Sequence, residues 1–371
     1  MRTPSRIAAL LVSLALLLLA LPGAAIAASP RFPDGQDAYH TYAEVGEELA
    51  ALAAGHPDLV SVRSFGTSAR GRTLWVVKLS DHVTADEAEP EVLVNALVHA
   101  REHLTVEQAL ALIRWLAEGH GSDPRVTRIL DRTEIWVMPM VNPDGGEFDI
   151  KGGRYHRWRK NRQPNPGSTA IGTDLNRNFG YRWGCCGGSS PWPWGDLYRG
   201  SRAFSAVEAR AVRRFVEGRV VGGAQQLRLA LNLHSFGEQV LFPYGYTTQK
   251  RPPDMRRGDR TLLRNLALGV AARNGYRAMQ ESAMYVTDGT LLDWLYGAHR
   301  ILNLTVELSP RTEQDGGFYP DASRIGALTE RNRDAFLWFL EQAAVPVPGA
   351  DAIPGSAAAR ESVRLRSRAA R

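Results

Sequence analysis

Five consecutive residues, His99-Ala100-Arg101-Glu102-His103, place two imidazoles and a carboxylate in one short stretch. Zinc takes up such donors, being borderline soft and accepting imidazole nitrogen and carboxylate oxygen alike. Two chemistries are open. Read as H-x-x-E-H, both histidines bind metal and the glutamate is the base, as in the inverted zinc-protease motif. Read as H-x-x-E, only His99 and Glu102 bind, and a third ligand and the base come from elsewhere.

The surrounding elements decide between the two. Upstream, "EVLVNALV" is a strand pattern. Downstream, Thr105 and Gln108 form a capping-box pattern before a periodic apolar run, so a helix is expected to start near Val106. His103 then sits in a strand-to-helix loop, structural or exposed, whereas the inverted motif needs a helix to turn both histidines to one face. H-x-x-E is the expected reading. A hydrolytic zinc keeps three protein ligands and one open position, and His234, ending the run "LRLALNLH", is placed to be the third. Glu307 stands near the end of another run, "RILNLTVELS". His99, His234 and Glu307 thus share the carboxyl-end edge of the expected strands, where open α/β sheets bind ligands.

The runs "TLWVVKLS", "EVLVNALVH", "TEIWVMPMVN", "LRLALNLH" and "RILNLTVELS" read as buried strands, separated by amphipathic segments such as "VEQALALIRWLAEG" and "SAVEARAVRRFVEG". Strands that are apolar throughout, alternating with helices, predict an α/β fold. One domain is expected over residues 28–344, built on a mixed, mainly parallel twisted sheet with helices on both faces.

Both ends of the chain read differently from this body. Arg2 and Arg6, the apolar run Ile7 to Leu21 and the small-residue site Ala25-Ile26-Ala27 predict a secretory leader over residues 1–27. That apolar run falls short of the roughly 20 residues that span a bilayer, so cleavage, export and no lasting membrane insertion are expected. Residues 345–371 hold Pro, Gly, Ala and Arg with little to pack and read as a disordered basic tail. Setting aside Arg2, Arg6, the tail's five arginines, Asp351 and Glu361 reduces 45 basic and 39 acidic residues to 38 and 37. A body so nearly neutral gives no reason to expect a nucleic-acid partner. The two cysteines, Cys185 and Cys186, are adjacent, and a vicinal disulfide is favoured over free thiols.

With "HAREH", "WRKNR", "GTDLNRN", "LNLHS", "MYVTDGTLLDW" and "TVELS" in this order, the chain resembles the zinc metallocarboxypeptidases of the carboxypeptidase A type. It looks most like their secreted bacterial branch typified by carboxypeptidase T. The likeness runs from about Tyr39 to Leu340. It implies one zinc held by His99, Glu102 and His234, with Asp174 orienting the first histidine. It also implies Glu307 as general base, Arg159 as oxyanion stabiliser, and Asn176 and Arg177 as the grip on a peptide's terminal carboxylate. Tyr285 matches a mobile tyrosine that closes over the bound end, and Arg101 a further substrate-side arginine. Thr290 and Leu292 match the floor of the end-residue pocket. Both are uncharged, so apolar or aromatic C-terminal residues are the expected preference, with Asp288 facing the loop.

Ser80, Asp81, Glu87, Glu89 and Glu91 resemble a structural calcium loop of the carboxypeptidase T group, against the plainer reading of an acidic surface loop. Phe236 departs from a tyrosine common in relatives. No inhibitory pro-domain is expected between leader and body. The implied activity is hydrolysis of the last peptide bond of peptides and proteins, by a secreted monomer. The alternatives are a peptidoglycan peptide hydrolase, an N-acyl amino-acid deacylase, or a non-catalytic peptide-binding relative. Arg177 together with Tyr285 argues against the deacylase, and the intact ligand set against the last.

Overall fold

The computed structural model describes residues 31–345; the expected leader and the tail beyond Val345 lie outside them. Strands β1 (Val60–Thr67), β2 (Thr73–Leu79), β3 (Glu91–Asn95) and β4 (Glu134–Met138) form one part of the central sheet. A two-stranded ribbon, β5 (Val220–Val221) with β6 (Ala224–Gln225), stands apart. The sheet is completed by β7 (Leu227–Ser235), β8 (Gln239–Phe242), β9 (Arg277–Gln280) and β10 (Leu302–Leu308). Its strand order is β1-β2-β4-β3-β7-β10-β8-β9. The pairs β4–β3, β3–β7, β7–β10 and β8–β9 are parallel, while β1–β2, β2–β4 and β10–β8 are antiparallel.

The helices are α1 (Tyr42–Gly55), α2 (Leu104–Gly119), α3 (Pro124–Leu130), α4 (Pro143–Asp149), α5 (Val207–Gly218) and α6 (Asp259–Asn274). After them come α7 (Leu291–His299), α8 (Ile325–Glu330) and α9 (Arg333–Glu341). Every residue of β3 and β4 is buried, and side-chain alternation divides them between two cores. Val92, Val94, Ile135 and Val137 join Leu110, Ile113, Val270, Phe336 and Leu340 from α2, α6 and α9. Leu93, Trp136 and Met138 join Val212, Val216 and Trp294 from α5 and α7 on the other face. Burial on both faces explains why these strands read as unbroken apolar runs. Each fully buried side chain of this kind contributes about 1.5–3 kcal/mol.

A polar row crosses the sheet centre. Asn95 Nδ2 donates to Asn232 Oδ1 at 2.7 Å, and Asn232 Nδ2 donates to Asn303 Oδ1 at 3.0 Å. All three side chains are buried. Any slip of β3, β7 or β10 would strand an amide without a partner, so the row opposes slippage of the strands that lead into the site.

One local expectation needs correction. The helix α2 starts at Leu104, two residues before the expected Val106, and Thr105 does not cap it. The Thr105 hydroxyl instead donates to the Glu102 carbonyl at 2.6 Å and accepts from Leu97 N at 2.9 Å, tying the loop to the helix. His103 occupies the cap position, buried, with Nε2 3.0 Å from Asp149 Oδ2.

Candidate active site

Strands β7 and β10 run parallel, with Glu307 in register with His234 at their carboxyl ends. The turn that follows β3 brings His99 and Glu102 to the same edge. His99 Nδ1 lies 2.7 Å from Glu102 Oε1, and His234 Nδ1 lies 2.9 Å from Glu102 Oε2 and 3.1 Å from His99 Nδ1. All three side chains are buried, and a ligand atom of each lies within 4.8 Å of the others. Two imidazole nitrogens and a carboxylate oxygen converging in this way fit a zinc ion with room for a fourth ligand. His103 takes no part, so H-x-x-E is the arrangement found.

The cluster is held from behind by Asp174. Its Oδ1 lies 3.2 Å from His99 Nε2 and accepts from Asn176 N at 3.0 Å, while Oδ2 accepts from Arg159 Nε at 2.8 Å. A carboxylate on the far ring nitrogen fixes tautomer and orientation and strengthens the ligand. Burial alone would raise both Glu102 and Asp174, but the flanking imidazoles and the Arg159 guanidinium outweigh it. His99 and His234 hold Glu102 well below the usual carboxylate range, and Arg159 with His99 does the same for Asp174. Enclosure pushes the Glu307 carboxyl up to about 8, against the pull of His234.

A cavity of about 240 Å³ opens beside the cluster. Its wall includes Arg101, Arg159, Asn176, Arg177, Phe236, Tyr285 and Glu307, so the expected substrate residues meet in one place. Arg177 is buried; Nε donates to Gly188 O at 2.9 Å and Nη1 to Asn176 O at 2.7 Å, while Nη2 has no partner. The guanidinium carbon lies 6.0 Å from the centroid of the Tyr285 ring, and Tyr285 is exposed. Asn176 Oδ1 accepts from Leu291 N at 2.9 Å, fixing the start of α7 against the site. Arg101 stacks 4.3 Å from the Phe318 ring centroid.

Two expected floor residues are absent from this wall. Thr290 is buried as the cap of α7, its hydroxyl accepting from Asp293 N at 3.2 Å, and Leu292 packs into the protein. In the same cavity stands Glu281, which the sequence reading passed over. Its only signal was an acid four residues before Tyr285, in "QESAMY". Asp288 faces the loop, accepting from Cys186 N and Gly188 N at 3.1 and 2.9 Å, and Cys185 is bonded to Cys186.

The residues expected to hold calcium do not converge as a set. Asp81 and Glu87 gather with His82, a nitrogen donor unsuited to a hard cation. Ser80 Oγ accepts from His82 N at 3.2 Å, and Glu91 Oε2 accepts from Arg219 Nε at 2.8 Å. Glu89 is near this group without belonging to it, its carboxyl pushed up to about 7 by burial and by the charges of Glu87 and Asp81. Arg219 and Lys78 supply internal cations to this region.

Residues 45–335 match the model of the zinc carboxypeptidase family, peptidase family M14. A zinc carboxypeptidase of Saccharothrix mutabilis subsp. capreolus is 44% identical over 309 residues, 83% of this chain and 70% of that protein. Carboxypeptidase A1 of Bos taurus is 32% identical over 294 residues, 77% of this chain and 66% of that protein. The crystal structure of carboxypeptidase A from Helicoverpa armigera superposes with a TM-score of 0.72 at 26% identity, covering 82% of this chain and 73% of that one.

Proposed function

Because this chain belongs to the zinc carboxypeptidase family, we propose that it removes single residues from the carboxyl ends of peptides, as an exported monomer. The observation that carries the exopeptidase reading is Arg177: a buried guanidinium on the wall of the cavity beside the histidine cluster, with one N–H pair unpartnered. An unpaired buried cation is costly, and a terminal carboxylate, which accepts two parallel charge-assisted bonds, would relieve it.

His99, Glu102 and His234 would hold the zinc. Bound there, zinc supplies a Lewis acid and lowers the pKa of water. The remaining chemistry belongs to the chain. Arg177 and Asn176 seat the terminal carboxylate, and Arg101 and Phe236 border the upstream peptide. Glu307 takes the proton of the attacking water and returns it to the departing amine. Arg159, kept cationic by Asp174 and Glu102 despite its burial, offers its guanidinium to the oxyanion as charge develops. Tyr285, on the exposed rim, closes over the bound end and excludes water. The apolar preference expected from Thr290 and Leu292 has no support, since neither side chain reaches the cavity.

The test uses mature protein with a blocked dipeptide and the same compound as its C-terminal amide, each with and without a zinc chelator. Cleavage of the free acid alone, abolished by the chelator, is expected. Equal cleavage of acid and amide would remove the role given to Arg177. Export is checked on the secreted protein, whose N-terminus is expected just after residue 27.

A further inference from the structure

Residues 190–198, "SPWPWGDLY", form a loop that closes on itself. Ser190 N donates to Leu197 O at 2.8 Å and Arg199 N to Ser190 O at 3.0 Å. Inside it, Gly195 N donates to Trp192 O at 3.1 Å, and Trp192 N to the Ser190 hydroxyl at 3.1 Å. Pro191 and Pro193 each lock one backbone angle, so the loop is stiff before any ligand arrives. On it stand Trp192 and Trp194, 72% and 73% exposed, the two most exposed large apolar side chains among the described residues. Neither ring packs into either hydrophobic core. A turn that only reverses the chain has no use for indoles. Two of them, each with about 150–250 Å² of surface to bury, make a patch rather than a scattered exposed residue, and such a patch marks an interaction surface.

Two cationic side chains tie this loop to the cavity. Lys160, buried and next in sequence to Arg159, donates from Nζ to Pro193 O at 2.7 Å. Arg101 Nη1 lies 3.7 Å from Asp196 Oδ2. Arg101 also lies over the Phe318 ring, and Phe318 meets Phe236 edge to face at 4.8 Å. Arg101, Phe318 and Phe236 are all on the cavity wall. A guanidinium and two rings thus connect the cavity with the loop that carries the tryptophans. A peptide held by its end at Arg177 must leave the cavity somewhere, and this wall offers it an apolar path. Stiff aromatic side chains give contact area at little cost in conformational freedom.

We propose that Trp192 and Trp194 form a subsite for the upstream part of the peptide substrate, taking aromatic or apolar side chains that lie beyond the two residues flanking the scissile bond. This rests on the carboxypeptidase reading and deepens it: the enzyme favours chains long enough to reach the loop. A dipeptide fills the cavity and leaves both indoles in water.

The experiment compares kcat/KM for three acetylated free acids with the same last two residues, on the zinc-loaded enzyme and on the double variant Trp192→Ser, Trp194→Ser. One is the dipeptide, one a pentapeptide with alanine upstream, and one a pentapeptide with leucine and phenylalanine upstream. The unmodified enzyme is expected to favour the apolar pentapeptide over the other two on the order of 10-fold, and the double substitution to remove that advantage, as truncating an aromatic anchor does. An advantage that survives the substitution overturns the proposal. An equal loss on dipeptide and pentapeptides also overturns it, since the loop would then act only by placing Arg101 and Lys160. Chitohexaose, added as a competitor, separates a peptide subsite from a sugar-stacking one. No slowing of pentapeptide hydrolysis supports the proposal, and slowing that needs the two tryptophans overturns it. Failure to hydrolyse any of the three acids would sink the carboxypeptidase reading itself, and this inference with it. Hydrolysis blind to length and upstream composition sinks only the tryptophan subsite.

Discussion

Glu102 and Glu281 are both buried carboxylates on the wall of one cavity, yet their surroundings are opposite. Glu102 has His99 at 2.7 Å, His234 at 2.9 Å and the Ser235 amide at 3.3 Å, and is held strongly ionised. Glu281 has one hydroxyl at 3.1 Å, a free oxygen and a carboxyl raised by burial. The metal end of the site is thus assembled before any ligand arrives, while the peptide end keeps an unpaired donor and an unpaired acceptor. Preorganised groups favour chemistry without reorganisation. Unsatisfied ones favour selection, because a wrong ligand leaves them unpaired.

The largest effect is expected at Glu307, which stands between the two ends. Glu307→Gln should lower kcat about 10²–10⁴-fold, the usual contribution of a positioned general base, with zinc content still one per chain. Loss of zinc in that variant would mean that Glu307 belongs to the metal end after all. Next in size is Arg177→Met. Removing this buried guanidinium, whose Nη2 has no partner, should cost on the order of 10²–10³-fold in kcat/KM on free acids. It should also erase discrimination against amides. If discrimination survives, the terminal carboxylate is gripped elsewhere.

Asp174→Asn probes the other side of the comparison and should be milder. The amide can still approach His99 and Asn176 but no longer neutralises Arg159, so zinc affinity is expected to fall about 10–100-fold. Chelator competition measures it. An unchanged affinity would show that the metal end does not depend on its rear support.

The metal end was legible in the sequence because its residues lie in short motifs at the ends of strands buried on both faces. "EVLVNALVHAREH" and "LRLALNLHS" carry both the apolar run that fixes the strand and the ligand that follows it. The peptide end was legible only in part. Arg177 and Tyr285 sit in motifs, but Glu281 enters the cavity from a turn after β9, a strand with no fully buried residue and hence no apolar run to announce it. The same weakness hid β1, whose residues are mostly half-buried or exposed, as suits an edge strand. Thr105 misled for another reason. Its pattern signalled a cap, but the hydroxyl has a tertiary partner in Leu97 N, and tertiary contact outranks local preference.

The smallest effect is expected far from the cavity, where the charge pattern of Glu102 is inverted. His40 lies between two carboxylates, Nδ1 2.8 Å from Glu107 and Nε2 2.8 Å from Glu48, joining α1 to α2. Donating to the Glu107 and Glu48 carboxylates raises its pKa to about 10, against partial desolvation. A folded pKa above the unfolded value of about 6.5 makes the protonated ring stabilising. That contribution is full below pH 6.5 and disappears as pH rises through about 10. Unfolding free energy should therefore decline over that window by on the order of 1–2 kcal/mol, allowing for residual screening. In His40→Gln the decline should flatten, since no proton is left to lose there. Denaturant titrations at pH 6.5, 8 and 10 on both proteins read the difference. Because His40 touches no cavity residue, kcat at neutral pH should not follow it. If activity fell along with stability, the separation of a prebuilt scaffold from a selective peptide end would be too simple, and the helix pair α1–α2 would have to transmit strain to His99 and Glu102 through Thr105.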